Sequence, residues 1–158
     1  MSQVEAIRQN TRIALPADDA YLYRLGAALY GFASINSFMT EIITYLDPYA
    51  DRTCLQGMMS GKVLDTFRGV VKKWTGADIS EPANRAASEF ERLNTERSDF
   101  VHSYPITSPS GVQILHRRVD AKNKYFEVTD GFLDDFTSRL TSVSEALYDI
   151  RRIVRPEL

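Results

Sequence analysis

The stretch RSDFVHSYP, Arg97 through Pro105, places an arginine five residues ahead of one of the chain's two histidines. Such a pair could move a proton beside a phosphate. Imidazole titrates near neutrality and serves as acid or base, while a guanidinium is always charged and presents a fork of donors that fits phosphate oxygens. Ser98, next to the arginine, adds a hydroxyl, and Tyr104 a phenol. Each residue also has a simpler reading, and the elements that carry them decide how much chemistry the pair can do.

The stretch ends a helical pattern that opens at Ser80-Glu81-Pro82, where Ser80 can cap and Pro82 fits the first turn. Its stripe runs Ala83, Ala86, Ala87, Phe90, Leu93, Arg97, Phe100, Val101 and Tyr104. Arg97 therefore falls inside an apolar row. Burying a guanidinium without a partner costs several kcal/mol, roughly. Arg97 must then be paired, sit at a subunit interface or line a wet cleft, and the simplest of these is a salt bridge to another helix. His102 in the last turn suits the negative end of the helix dipole. Tyr104 reads as packing, and Asp99 as a partner for Arg97 or a neighbouring cation. On an ideal helix, residues five apart differ by about 140° and about 7.5 Å, so Arg97 and His102 do not share a face. Unwinding of the last turn before Pro105 could reconcile them, as could a two-fold dimer with one shared cleft.

Three further helices surround this one. The first follows Pro16, Asp18 and Asp19 and repeats Leu22, Leu25, Leu29, Phe32, Ile35, Met39, Ile42 and Leu46 until Asp47-Pro48 stops it. Tyr23, Ala27, Tyr30 and Phe38 make its other face apolar too, as expected of a helix covered on several sides, by its own bundle and by a second copy. A shorter helix after Ser60 carries Val63, Leu64, Phe67, Val70, Val71 and Trp74, with Gly76 as its breaker. The last starts near Thr129-Asp130 and runs to Val154. Between the last two long helices, Val112–Val119 and Tyr125–Val128 are rich in β-branched and aromatic residues around a turn-prone Asp120–Lys124. The expected fold is all-α, an up-and-down four-helix bundle with a small β-hairpin inserted before the last helix. Residues 1–15 read as an N-terminal tail and 16–158 as a single helical domain.

Composition narrows the options. Nineteen Lys and Arg against 21 Asp and Glu leave a net charge of −2, so contact with nucleic acid would need a local basic patch. The hairpin offers one in His116, Arg117, Arg118, Lys122 and Lys124, although a plain solvated hairpin is the slightly better explanation. Cys54 alone allows no internal disulfide or cysteine-rich zinc site, and no carboxylate–histidine spacing suits a metal. No cofactor motif is present. Without a signal-like run in residues 1–15 or an apolar span, a cytoplasmic protein with no membrane contact is expected.

The block Arg97-Ser98-Asp99-Phe100-Val101-His102 resembles the Arg-polar-x(3–5)-His signature of HEPN domains, small helical bundles carrying it near the end of the third long helix. The His-x-Tyr ending resembles the HEPN toxins paired with MNT nucleotidyltransferases. Ser98 stands where the family most often has Asn, and the hairpin is not typical of its shortest members. The resemblance implies a metal-independent endoribonuclease acting as a toxin or defence component. Arg97, Ser98 and His102 would be its catalytic residues, a dimer groove its site, RNA its substrate and an antitoxin its partner. It also makes Tyr104 a candidate for modification. The alternative is a HEPN-like module that binds RNA, nucleotide or protein without cleavage.

Overall fold

The computed structural model describes residues 1–11, 18–118 and 125–158. Among them the order is α1 (Gln3–Asn10), α2 (Asp19–Leu46), α3 (Arg52–Gln56), α4 (Ser60–Lys73), α5 (Ser80–Val101), β1 (Tyr104–Thr107), β2 (Gln113–Arg118), β3 (Tyr125–Val128) and α6 (Asp130–Val154). The chain is mostly helical with a small antiparallel sheet. Lys122, Lys124, the turn between β2 and β3, and the domain boundary after residue 15 lie outside the described residues. Residues expected as a tail include α1, which buries none of its side chains and is tied to α2 by the Arg8–Asp19 pair.

Local chemistry sets the helix ends. Asp18 accepts hydrogen bonds from the amides of Ala20 and Tyr21, and Thr129 from that of Phe132, so both long helices start on a side-chain cap. Two expected signals act differently. Ser80 is the first residue of α5 rather than its cap, and its amide donates to Asp78. Helix α4 ends at Lys73, before Gly76; the Trp74 indole lies over Gly76, where a Cβ would fall 2.3 Å from the ring. Gly76 makes room for a tryptophan instead of breaking a helix.

Four helices form a ring in which α2 and α5 each pack on α4 and α6. Phe32 stacks on Phe90 at 5.2 Å, and Phe100 meets Phe136 edge-on at 5.3 Å, filling the centre with aromatic rings. The up-and-down alternation does not hold. Arg24 pairs with Asp130 and Asp134, and Phe38 packs on Tyr148, so α2 and α6 run the same way. Arg139 bonded to Glu96 and Arg85 bonded to Asp149 make α5 antiparallel to α6. Arg68 bonded to Glu91, and Gly61 beside Asn94, make α4 antiparallel to α5, hence parallel to α2. The physical reason is the connection after Asp47. It carries α3, where Arg52 reaches back to Glu41 and Ser37, and so returns the chain part-way along α2 before α4 begins.

The sheet, in the order β1-β2-β3, takes up the end of the bundle beyond the start of α4. Its first strand, Tyr104–Thr107, pairs with β2 from Tyr104 opposite His116 to Thr107 opposite Gln113, so the expected hairpin is two-thirds of a three-stranded sheet. Tyr21 locks the sheet to α2: its hydroxyl donates to the Val128 carbonyl at 2.7 Å and accepts from the Leu115 amide at 2.8 Å. This also rotates the start of α2. Tyr21 and Ala28 are buried where Leu22 and Leu29 were expected, and Leu29 is 44% exposed.

Candidate functional site

Arg97 lies one turn before the end of α5, on the side facing α2 and α4. Its guanidinium carbon sits 4.7 Å from the centre of the Phe32 ring, a cation–π contact, and one terminal nitrogen donates to the Asn94 side chain at 3.3 Å. No carboxylate among the described residues pairs with it. Its Nε is buried and has no hydrogen-bond acceptor among them. The salt bridge that would explain an arginine in an apolar stripe is therefore missing. Instead, Arg97 lines an open cleft of 930 Å³ bounded by the start of α4, the last turns of α5 and β2.

Ser98 and Arg117 line the same cleft. Arg117 donates to Asp99 at 2.8 Å and to the Ser98 carbonyl at 3.4 Å, joining β2 to the end of α5. Asp99 is thus the partner of Arg117 and not of Arg97. On the opposite wall Arg68 grips both Glu91 oxygens, at 3.3 and 2.9 Å. That bond holds the Glu91 carboxyl below its usual range and the Arg68 guanidinium above its own. Two of the cleft's arginines are neutralised, and Arg97 is left charged.

His102 stands apart. Helix α5 ends at Val101, and His102 is its C-cap, exposed, with its amide bonded to the Ser98 carbonyl at 3.1 Å. It does not line the cleft, and its imidazole has no hydrogen-bond or ionic partner among the described residues. The structure brings Arg97, Ser98 and Arg117 together and leaves His102 outside, as the rotation of five residues on a helix requires. The helix ends at Val101, and Tyr104, the residue before Pro105, is already extended in β1.

Comparison with protein-family models, with curated proteins and with solved structures finds no match for this chain. The site therefore rests on its own geometry. Tyr104 does not extend the apolar stripe; it opens β1, 50% exposed, with its ring edge-on to His116 at 5.4 Å. The expected basic hairpin surface is corrected in two places. His116 is buried on the inner face of β2, and Arg117 is engaged with Asp99, because alternate strand residues point to opposite faces. Arg118 is exposed. Among the described residues no three His, Cys, Asp or Glu side chains gather as metal ligands, and no helix is long and apolar enough to cross a membrane.

Two residues hold Arg97: Asn94, absent from the sequence expectations, and Phe32, expected only as part of the α2 stripe. Asn94 had a signal, lying three residues before Arg97 on one helix face. Phe32 had none, since contact between distant helices is not written in local spacing.

Proposed function

We propose that this chain is a HEPN-type endoribonuclease that cleaves RNA without metal, as a toxin or defence component, in a homodimer. The observation that carries the reading is Arg97: a guanidinium lining an open cleft, oriented by Phe32 and Asn94, with no carboxylate among the described residues to neutralise it. An unpaired guanidinium in such a cleft would suit a phosphate. In the reaction the ribose 2′-oxygen bonds to phosphorus and the bond to the 5′-oxygen breaks. The 2′-hydroxyl proton goes to a base, and the leaving oxygen takes a proton from an acid. His102 supplies proton transfer, Arg97 stabilises the charge gathering on the phosphoryl oxygens, and Ser98 adds a hydrogen bond.

One chain presents Arg97 and His102 on different faces, which favours a site completed by the His102 of a second copy. Tyr104, two residues after His102 and half exposed, would be open to a modifying antitoxin. Purified protein should degrade single-stranded RNA in the presence of a chelator, and Arg97→Ala or His102→Ala should each abolish this. Subunit exchange between the two variants should restore about a quarter of the parental rate, since half the dimers are mixed and each mixed dimer has one whole site. Absence of cleavage by the parent protein would sink the nuclease reading, and failure of the mixture alone would sink the shared site.

A second reading is favoured by the bare imidazole of His102. Catalytic histidines are commonly oriented by a hydrogen bond to the far ring nitrogen, and none is present among the described residues. A HEPN-like domain that binds RNA through Arg97 without cleaving it would show loss of binding in Arg97→Ala and no products from the parent.

A further inference from the structure

The cleft at Arg97 is larger than one phosphate, and its far wall is built from a different element. At 930 Å³ it falls in the range that holds a ligand of many atoms. The far wall is the first turn of α4. Met59 caps this helix with an extended backbone and no side-chain hydrogen bond. Its carbonyl accepts from the amides of Lys62 and Val63, while the amides of Ser60 and Gly61 have no acceptor among the described residues. Gly61 lies against Asn94, the residue that holds Arg97: a Cβ there would come 3.9 Å from the Asn94 amide nitrogen. Lys62, also lining the cleft, is exposed and has no ionic partner among the described residues.

The charges decide what such a cleft would take. Glu91 and Asp99 are bonded to Arg68 and Arg117, which leaves Arg97 and Lys62 against Asp65. The lining therefore carries four cations against three acids, and Arg97 and Lys62, on facing walls, are the two cations in no ion pair among the described residues, with the Ser60 and Gly61 amides beside the second. Met59, 77% exposed at the rim, offers a flexible apolar surface on which a base can lie.

We propose that the cleft holds two consecutive phosphodiesters of one RNA single strand. The first sits on Arg97 and the next on Lys62 with the Ser60 and Gly61 amides, with a base over Met59. This rests on the reading of the chain as an RNA-cleaving or RNA-binding protein and moves the substrate path from the hairpin surface to the start of α4.

The test is anisotropy with a short, labelled, uncleavable 2′-O-methyl oligonucleotide over a salt series. Lys62→Ala should weaken binding about fivefold and lower the slope of log affinity against log salt by about one. Ser60→Pro should also weaken it. Proline is tolerated at the first helical position and removes only the amide donor, and a melting curve would verify that the helix is intact. Lys73→Ala, at the other end of α4, should bind like the parent. Should Lys62→Ala and Ser60→Pro bind with unchanged affinity and slope while Arg97→Ala does not bind, the second phosphate position is wrong and the RNA reading stands. A nucleoside monophosphate or inorganic phosphate binding as tightly as the oligonucleotide would likewise overturn the two-phosphate path. A parent protein that neither binds the oligonucleotide nor cleaves RNA would remove both readings together.

Discussion

Arg97 and Arg139 occupy similar depths in the bundle and have opposite surroundings. Arg139, on α6, is 16% exposed at its side chain and is held by Glu89 at 3.2 Å, Glu96 at 2.5 Å and Asp135 at 2.8 Å. Burial works against its charge, and the three carboxylates outweigh that, so its pKa is raised. Arg97, on the helix that supplies two of those carboxylates, has no carboxylate partner among the described residues. Arg139 is neutralised by its own bundle, whereas Arg97 rests on a phenyl face beside an open cleft.

The largest effect that would sharpen this contrast is at Arg139. Its replacement by Met should lower the unfolding free energy by about 3 kcal/mol, because it leaves half-buried carboxylates facing one another unpaired. Urea unfolding measures this, and a loss no larger than that of Arg97→Ala would break the comparison. Arg97→Ala should reduce RNA cleavage at least about 100-fold, near 2.7 kcal/mol of transition-state stabilisation. It should change the unfolding free energy by no more than about 1 kcal/mol, the worth of a cation–π contact.

Tyr21 offers an uncharged counterpart, a buried polar group satisfied from both sides. Tyr21→Phe should cost about 2 kcal/mol by leaving the Val128 carbonyl and the Leu115 amide short of a partner. Amide hydrogen exchange in β2 and β3 should then quicken before that of the helices. The smallest effects belong to exposed pairs. Hydrogen bonding to Arg85 holds the Asp149 carboxyl below its usual value, as Arg68 does for Glu91. A carboxylate whose folded-state pKa is depressed stabilises the protein above its unfolded value, and that contribution is lost as pH falls through the folded one. Thermal midpoints should therefore fall as the solution is acidified below the carboxylate range, and the fall should be shallower in Arg85→Ala.

The helices of this bundle were legible wherever one residue type decides an end. Asp18, Asp47 and Thr129 each mark a boundary by their own hydrogen-bonding chemistry, and the span of α2 and the start of α6 follow from them, while α4 and α5 were legible from their apolar stripes and not from their caps. Helix α3, of five residues, is too short to show a period. Strand β1 was hidden because Tyr104 continues the spacing of the α5 stripe, and only Pro105 hinted that the chain leaves the helix. The parallel course of α4 depends on how the chain after Asp47 folds back over α2, which no local pattern encodes. At the site, Arg97 was visible as the one cation in an apolar row, and its separation from His102 followed from helix geometry. Its surroundings were not legible: the Phe32 face and the start of α4 reach it only through tertiary packing.

The course of α4 has an electrical consequence. In a bundle of alternating helices the peptide dipoles cancel in neighbouring pairs, whereas here α2, α4 and α6 point their positive ends the same way and only α5 opposes them. The excess is offset at two of the three ends, since α2 carries Asp19 and α6 carries Asp130 in the first turn. Helix α4 carries no acid in its first turn. The positive end of α4 is therefore the one of the three that its own first turn leaves without an opposing acid, and it opens onto the cleft that Arg97 lines.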